Sequence, residues 1–176
     1  MNRFSQRHEP ADLTDWLQDN VDEFAITFTT HVPPLSNWSA HRIFIWGKNF
    51  PTAEHAYQYK KFVENDPKFA EKIRFAKSPW IAKKMAWSRE INTKDWNVKR
   101  VSVMKEVLYA KLEQHEDVRL ALGQTENLAI LESGNHPDNF WGIGRNNLGK
   151  NTLGKMWMLI RDELKAANYM PRRTSF

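Results

Sequence analysis

The chain contains no cysteine, which excludes disulfide bridges and thiolate metal sites. It has no apolar run long enough to span a bilayer, and no hydrophobic leader follows the basic residues near its start. No histidines have the spacing of a metal site, such as H-x-x-x-H. These absences predict a cytoplasmic protein with no membrane partner, no metal site and no cofactor.

The composition is that of a globular protein with a basic body. The 176 residues suffice for one domain, 41% of them are hydrophobic, and eight are tryptophan. Residues 1–34 carry two basic and six acidic side chains, whereas residues 35–176 carry 24 basic and 15 acidic ones, a net charge of +9. Such a body suits an anionic ligand such as a nucleotide or nucleic acid, although lysines also commonly solvate helix faces.

Hydrophobic periodicity and capping residues predict a chain dominated by helices. We expect helices at about 11–22, 52–63, 66–77, 79–87, 94–114 and 117–122, and a last one capped by Thr152. Short strands are predicted at about 24–30, 41–46 and 128–131, and a loop at 133–151. The core stripe of the longest helix is predicted to contain Val101, Met104, Val107, Leu108 and Leu112. The predicted fold class is therefore mainly α with small β elements (α+β), in a single compact domain.

The stretch PTAEHAYQYKKF places three polar side chains on one helical face. Glu54, Gln58 and Lys61 lie at positions i, i+4 and i+7, and Glu54 falls in the first turn, where the helix dipole favours a negative charge. A carboxylate, an amide and an ammonium in line can bind a ribose and stabilise developing charge. The alternative interpretation is a solvated, salt-bridged stripe.

The stretch GIGRNNLGKNT resembles a phosphate-binding P-loop but departs from it. Asn151 stands where the motif needs Ser or Thr, and no buried strand precedes the glycines. Gly142 and Gly144 would let the backbone approach a ligand closely, and N–H groups at the following helix start attract anions. Because Asp138 and Trp141 lie just upstream, the segment resembles the wall of a pocket; a plain surface loop is the alternative.

A third group consists of Trp96, Lys99 and Arg100 on the longest predicted helix. An indole can stack on a base while neighbouring cations hold phosphates. A tryptophan packed in the core is the alternative interpretation.

The order of motifs resembles the NADAR family, also called YbiA-like. The matching pieces span about residues 33–166 and are PLSNWSAH (34–41), GKNFPTAEHAYQYKKF (47–62), AKSPWIAKKM (76–85), DWNVKRVSVM (95–104), AKL (110–112), LAILES (128–133), DNFWGIG (138–144) and LGKNTLGKMWMLIRDEL (148–164). Ala86-Trp87 and Thr125-Glu126 stand where the family usually has Gly-Arg and Thr-Gly. The resemblance divides the chain into an N-terminal extension (1–30), a YbiA-like domain (31–168) and a flexible tail (169–176).

The resemblance implies a mainly helical fold and cleavage of N-glycosidic bonds in ribosyl compounds. One branch of the family hydrolyses phosphorylated riboflavin-pathway intermediates, and another removes ADP-ribose from guanine bases. We expect this chain to be an N-glycosyl hydrolase that acts on ADP-ribosylated guanine, in nucleic acid or a nucleotide. The alternatives are a hydrolase of a phosphoribosyl metabolite from riboflavin biosynthesis and a non-catalytic module that binds ADP-ribose or a related nucleotide.

The motifs of the family single out the residues for this reaction. Glu54 is assigned to the sugar and Asp138 to water or the leaving group, and the two roles could be exchanged. Lys61 either pairs with phosphate or attacks an opened ribose to give an imine. The predicted substrate-binding residues are Asn37, Gln58, Trp96, Trp141, Gly142, Gly144 and Asn151.

Overall fold

The computed structural model describes residues 21–22, 25–28, 34–133, 140–144 and 147–169. In these segments the chain forms six helices and five short strands, which confirms the prediction of a mainly helical protein with small β elements. Contacts between residues divide the chain into two compact units. One comprises Met1–Ser36 with Glu116–Phe176, and the other comprises Asn37–His115.

The second unit begins with a β-hairpin. Strands β3 (Ile43–Ile45) and β4 (Lys48–Phe50) pair antiparallel, with Ile45 opposite Lys48. The two turn residues, Trp46 and Gly47, both have positive φ, at 52° and 72°, as a tight two-residue turn requires. The sequence pattern predicted the first strand but treated Gly47-Lys48-Asn49 only as its end, and this was wrong.

Four helices follow the hairpin: α1 (Ala53–Lys60), α2 (Pro67–Arg74), α3 (Pro79–Trp87) and α4 (Thr93–Gln114). Each begins at a side-chain cap, since Thr52, Asp66, Ser78 and Asn92 accept hydrogen bonds from backbone N–H groups of the following first turn. The starts of α1, α2 and α3 and the full extent of α3 are confirmed. Helices α1 and α2 end three residues earlier than predicted.

The core of the second unit lies where α1, α2 and α3 pack against the hairpin and one face of α4. Its buried members are Ile43, Phe50, Ala53, Ala56, Tyr59, Phe62, Phe69, Ala70, Ile73, Ala82, Ala86 and Val107. Four of the five predicted stripe residues of α4 are buried, but Val101 is 41% exposed. The assignment of Val101 to the core was wrong because α4 buries a narrower face than the set of apolar residues predicted.

The first unit combines a three-stranded sheet with two helices. Strand β2 (Ala25–Phe28) lies between β1 (Val21–Asp22), which is antiparallel to it, and β5 (Ala129–Glu132), which is parallel. The helices are α5 (Glu116–Gln124) and α6 (Thr152–Ala166). The indole N–H of the fully buried Trp157, on α6, donates to the carbonyl of Leu35 (3.0 Å).

Two predictions concern segments near the ends of the chain. The helix predicted at 11–22 was wrong at its last two residues, which form β1, and the rest of it lies outside the described residues. The predicted boundary at residue 30, the tail from residue 169 and the cytoplasmic location stay predictions. Among the residues that the structure describes, no helix combines the length and the apolar character that crossing a membrane requires.

Candidate active site

The N-terminus of α1 is fixed by two side chains. Thr52 Oγ1 accepts a hydrogen bond from the His55 backbone N–H (3.4 Å) and lies 2.8 Å from His55 Nδ1. His55 Nε2 lies 3.1 Å from the Ala76 carbonyl oxygen, to which it can only donate, so Nδ1 accepts the threonine proton. Burial lowers the pKa of His55, although the Ala76 carbonyl and Glu54 act in the opposite direction. The neutral ring therefore holds the first turn, which carries Glu54, in place.

Glu54 is buried and held by two hydrogen bonds. Its backbone N–H donates to the carbonyl of Asn37 (2.9 Å), and its Oε1 accepts from Gln58 Nε2 (2.7 Å). The exposed fractions are 5% for Glu54, 3% for Gln58 and 7% for Asn37. The alternative interpretation, a solvated stripe, is therefore wrong for Glu54 and Gln58. A buried carboxylate is costly unless it is compensated, and such groups are frequent at functional sites.

The two residues bonded to Glu54 each have an amide oxygen with no hydrogen-bond donor among the described residues. These oxygens are Asn37 Oδ1 and Gln58 Oε1. The orientation of the Gln58 amide is set by Glu54, because only the NH₂ group can donate to a carboxylate oxygen. Asn37 Nδ2 lies 3.3 Å from the sulfur of Met104, a weak acceptor. Buried acceptors without donors are rare in folded proteins, so this cluster is well suited to a ligand that carries hydroxyl or N–H donors.

Lys61 follows the last residue of α1 and lies against two aromatic rings. Its Nζ is 5.0 Å from the ring centroid of Tyr57 and 5.6 Å from that of Trp96. The two rings are 5.2 Å apart and inclined at 60°. Cation–π contacts of this kind stabilise the ammonium form of a lysine. Trp96 is half-buried rather than packed in the core.

Lys61 and Trp96 also line a shallow depression of about 100 Å³. Lys60, Lys99, Glu64 and Asp95 contribute the other charged side chains of its wall. Lys99 forms an exposed ion pair with Glu64 (2.9 Å), so Glu64 would compete with a phosphate group for this lysine. The depression is therefore mildly basic and has an aromatic wall, and it adjoins the side of α1 that carries Lys61.

The glycine-rich segment of the first unit has a different architecture from a phosphate-binding loop. Three backbone N–H groups at the start of α6 donate to carbonyls of the same segment: Asn151 to Gly142 (3.1 Å), Thr152 to Phe140 (3.1 Å) and Leu153 to Trp141 (3.0 Å). These donors are already used, so they do not offer the anion site that the sequence pattern indicated.

The same segment is tied closely to β5. The side chain of Asn151 accepts from the Glu132 N–H (2.9 Å) and donates to the Ile130 carbonyl (2.8 Å). A Cβ on Gly142 would lie 2.6 Å from the Glu132 carbonyl oxygen, and one on Gly154 would lie 2.1 Å from that of Ile130. These residues allow the backbone of one element to approach the backbone of another, which explains why they are glycines without invoking a ligand.

A comparison with protein families establishes which family the chain belongs to. The model of the NADAR domain matches residues 24–165. The chain belongs to the NADAR family. The prediction made from the motif order is confirmed.

Several relatives of this NADAR protein are N-glycosidases. It is 36% identical over 151 residues to N-glycosidase YbiA of Escherichia coli (strain K12), covering 84% of this chain and 91% of that protein. It is 35% identical over 135 residues to an N-glycosidase of Nostoc punctiforme, covering 74% and 85%. The solved NMR structure of E. coli YbiA superposes with a TM-score of 0.71 and 28% identity, covering 92% and 98%. The mainly helical YbiA-like fold and the prediction of an N-glycosyl hydrolase are confirmed.

Another relative is a longer protein. The riboflavin biosynthesis protein of Vibrio vulnificus is 33% identical over 139 residues, which cover 74% of this NADAR protein but 35% of that relative. In that protein the region similar to this chain is one part of a larger polypeptide.

The structure brings part of the predicted site together. Asn37 and Gln58 contact Glu54, and Trp96 contacts Lys61 through its ring. All five residues belong to the second unit, whereas the others belong to the first: Trp141, Gly142, Gly144 and Asn151. The predicted catalytic Asp138 lies outside the described residues.

Sequence reasoning missed two neighbours in this NADAR protein, His55 and Tyr57. The capping arrangement of Thr52 with a histidine three residues later offered a signal for His55. The i, i+4 spacing of Tyr57 and Lys61 offered one for the aromatic support of the lysine.

Proposed function

We propose that this NADAR protein hydrolyses the bond between C1 of a ribosyl group and a nitrogen of a base, with ADP-ribosylated guanine as its substrate. The observation that supports the proposal best is the buried Glu54, whose carboxylate accepts from Gln58 and whose backbone N–H donates to the Asn37 carbonyl, together with the Asn37 and Gln58 amide oxygens, which have no donor among the described residues. Such a cluster binds a sugar through its hydroxyl groups and opposes positive charge on the sugar ring.

The reaction sets requirements that Glu54 meets. When the C1–N bond breaks, positive charge develops on the ribose and the bonding electrons go to the leaving nitrogen. Water then supplies OH to C1, and its remaining proton ends on the base. A fixed carboxylate near the sugar stabilises the cationic transition state or takes the proton from water. Asp138 keeps its predicted role as the second carboxylate, which handles water or the leaving group.

The two amide oxygens account for recognition of the sugar. We assign Asn37 Oδ1 and Gln58 Oε1 to the 2- and 3-hydroxyl groups of the ribose, which are donors of the required kind. Because the Gln58 amide is hydrogen-bonded to the Glu54 carboxylate, and the Asn37 backbone carbonyl to the Glu54 N–H, a bound ribose and the carboxylate would be held in fixed relation, and such fixed positioning lowers the barrier.

Lys61 suits the phosphate of the substrate better than covalent attack. Imine formation needs a neutral amine, whereas the faces of Tyr57 and Trp96 stabilise the ammonium form. The Trp96 ring and the depression beside Lys61 can also accept a flat base by stacking. Trp141, Gly142, Gly144 and Asn151 stay predicted binding residues.

A second candidate substrate is a phosphorylated intermediate of riboflavin biosynthesis. The names of two relatives favour it, the riboflavin biosynthesis proteins of Vibrio vulnificus and Zea mays. Such an intermediate also joins a phosphorylated ribose to a nitrogen, so the assignments of Asn37, Glu54 and Gln58 apply to it unchanged.

The test is release of ADP-ribose from an ADP-ribosylated guanine nucleotide, compared with an analogue that lacks the 2-hydroxyl of the cleaved ribose. We expect kcat/KM to fall roughly 5- to 100-fold for the analogue, because one buried acceptor stays without a donor. In Asn37→Leu and Gln58→Leu variants the difference between the two substrates should shrink for the variant whose amide contacts this hydroxyl. Equal kcat/KM values for both substrates in the parent protein would overturn the sugar assignment, and absence of any release would overturn the function.

A further inference from the structure

A cluster of tryptophans with one lysine covers an exposed face of α3. Trp80, Lys83 and Trp87 lie at positions i, i+3 and i+7 and so share one side of the helix. Trp80 is 47% exposed and Trp87 is 46% exposed, which is unusual for residues that normally bury most of their surface. Trp38 joins them from the loop before the hairpin. We call these four residues the tryptophan patch.

The rings of the tryptophan patch are arranged around the lysine. The ring centroids of Trp38 and Trp80 are 6.1 Å apart, and those of Trp80 and Trp87 are 5.7 Å apart. The Nζ atom of Lys83 lies 5.6 Å from the Trp38 ring and 5.2 Å from the Trp87 ring. Neighbouring rings are inclined at 44° and 88°, so they present faces and edges in different directions. The patch therefore offers several stacking surfaces with a positive charge among them.

The charge of the chain segment that contains α3 favours a nucleic acid over a neutral partner. Residues 72–89 contain six basic side chains and no acidic one; two of them, Arg74 and Arg89, form ion pairs with Glu71 and Asp66, and the other four are Lys72, Lys77, Lys83 and Lys84. Exposed aromatic rings interleaved with cations are the combination that binds single-stranded nucleic acid, because bases stack on the rings while the cations contact phosphates. A duplex hides the base faces within its own stack and cannot use the rings in this way.

The patch is connected to the candidate active site through the chain. Trp38 directly follows Asn37, whose carbonyl accepts the backbone N–H of Glu54. Trp38 therefore lies next along the chain to a residue that is bonded to Glu54. No part of the reaction proposed above uses Trp80, Lys83 or Trp87.

We propose that the tryptophan patch binds unpaired bases of the single-stranded nucleic acid that carries the modified guanine. The inference rests on the nucleic-acid form of the proposed function. It assigns to α3 a binding surface outside the reaction centre, and it makes unpaired nucleic acid the substrate class rather than a free nucleotide or a duplex.

The experiment measures binding of a fluorescein-labelled oligothymidylate by fluorescence anisotropy over a series of salt concentrations. Because the probe carries no modified guanine, its binding is independent of the glycosidase reaction, and failure of one proposal is distinguishable from failure of the other. We expect Trp80→Ala and Trp87→Ala each to weaken binding roughly tenfold, and Lys83→Ala to reduce the salt dependence by about one phosphate contact.

The controls separate stacking from folding. The variants Trp80→Phe and Trp87→Phe keep an aromatic face and should retain most of the affinity, while Phe44→Ala, at a 55% exposed aromatic residue on β3, should match the parent. Unchanged oligothymidylate affinity in a folded Trp80→Ala/Trp87→Ala variant would overturn the inference. So would equally tight binding of a duplex, or binding of anionic phosphatidylserine vesicles without binding of the oligonucleotide.

Discussion

Replacing Glu54 by Gln keeps the size of the side chain and removes its charge, and we expect the protein to keep its stability and lose its activity. The amide oxygen of the new side chain can still accept the hydrogen bond from Gln58 Nε2, which is 2.7 Å long in the parent. Loss of the charge weakens that bond by about 1 kcal/mol. However, desolvation of a buried ion costs several kcal/mol, and the substitution removes that cost. The free energy of unfolding should therefore stay the same or rise.

Activity should fall sharply in the same variant. A positioned acid–base or electrostatic group contributes roughly 10²- to 10⁴-fold to the rate, so Glu54→Gln should lose about that factor in kcat. Two measurements on one preparation test this: urea unfolding for stability, and chromatography of released ADP-ribose for turnover. A stability loss greater than about 2 kcal/mol, or turnover within a few-fold of the parent, would show that Glu54 is a structural residue.

Two further variants serve as controls for this prediction. Glu54→Ala leaves the buried Gln58 Nε2 without its acceptor and should lose about 1–3 kcal/mol of stability, which separates loss of the hydrogen bond from loss of the charge. Glu71→Gln removes a carboxylate that pairs with Lys48 (3.0 Å) and Arg74 (2.6 Å) near the surface. Its turnover should match that of the parent, because Glu71 lies on α2 and its partners on α2 and β4, outside the Glu54 cluster.

Three other predictions follow from the structure. Burial lowers the pKa of His55 below 6.5, so as pH falls the unfolded chain binds a proton at this histidine before the folded protein does. The parent should therefore lose stability below about pH 6.5 more steeply than the His55→Asn variant. Parallel pH profiles of the two proteins in urea unfolding would contradict this. Gly154→Ala places a Cβ 2.1 Å from the Ile130 carbonyl oxygen and should lower the free energy of unfolding in urea by more than about 2 kcal/mol. In Gly47→Ala the Cβ meets open space, and the loss should be about 1–2 kcal/mol because of the positive φ. Equal losses in the two variants would exclude the close contact as the cause. Lys61→Arg should keep most of the turnover, and borohydride should trap no sugar adduct; a Lys61-dependent adduct detected by mass spectrometry would establish the imine instead.

Local chemistry explains which elements the sequence predicted well. Asp66-Pro67 and Ser78-Pro79 fix the starts of α2 and α3 because the cap and the proline act within one turn. The end of α1 has no such signal, so the prediction extended it from Lys60 to Val63. The hairpin turn was missed because Trp46 adopts φ of 52°, a conformation that bulky residues rarely adopt.

The candidate site was likewise predictable only where local spacing determines the contact. Helical spacing was enough to join Glu54 to Gln58, because i and i+4 neighbours meet on any helix. Spacing does not reveal whether that face meets solvent or another element, so the burial of both residues and the contact with Asn37 depended on the tertiary structure. Likewise, the sequence predicted that Gly142 lets the backbone approach a ligand, whereas the close neighbour in the structure is the Glu132 carbonyl of β5.

The central claim is tested most directly by assaying the parent protein side by side on an oligonucleotide that carries ADP-ribosylated guanine and on a phosphoribosylamino-pyrimidine. The products of both reactions are separated by liquid chromatography, and kcat/KM is determined for each. We predict release of ADP-ribose from the oligonucleotide with the higher kcat/KM, and loss of both activities in Glu54→Gln. No product from either substrate, with folded protein that still binds ADP-ribose, would contradict the account and identify a non-catalytic binding module.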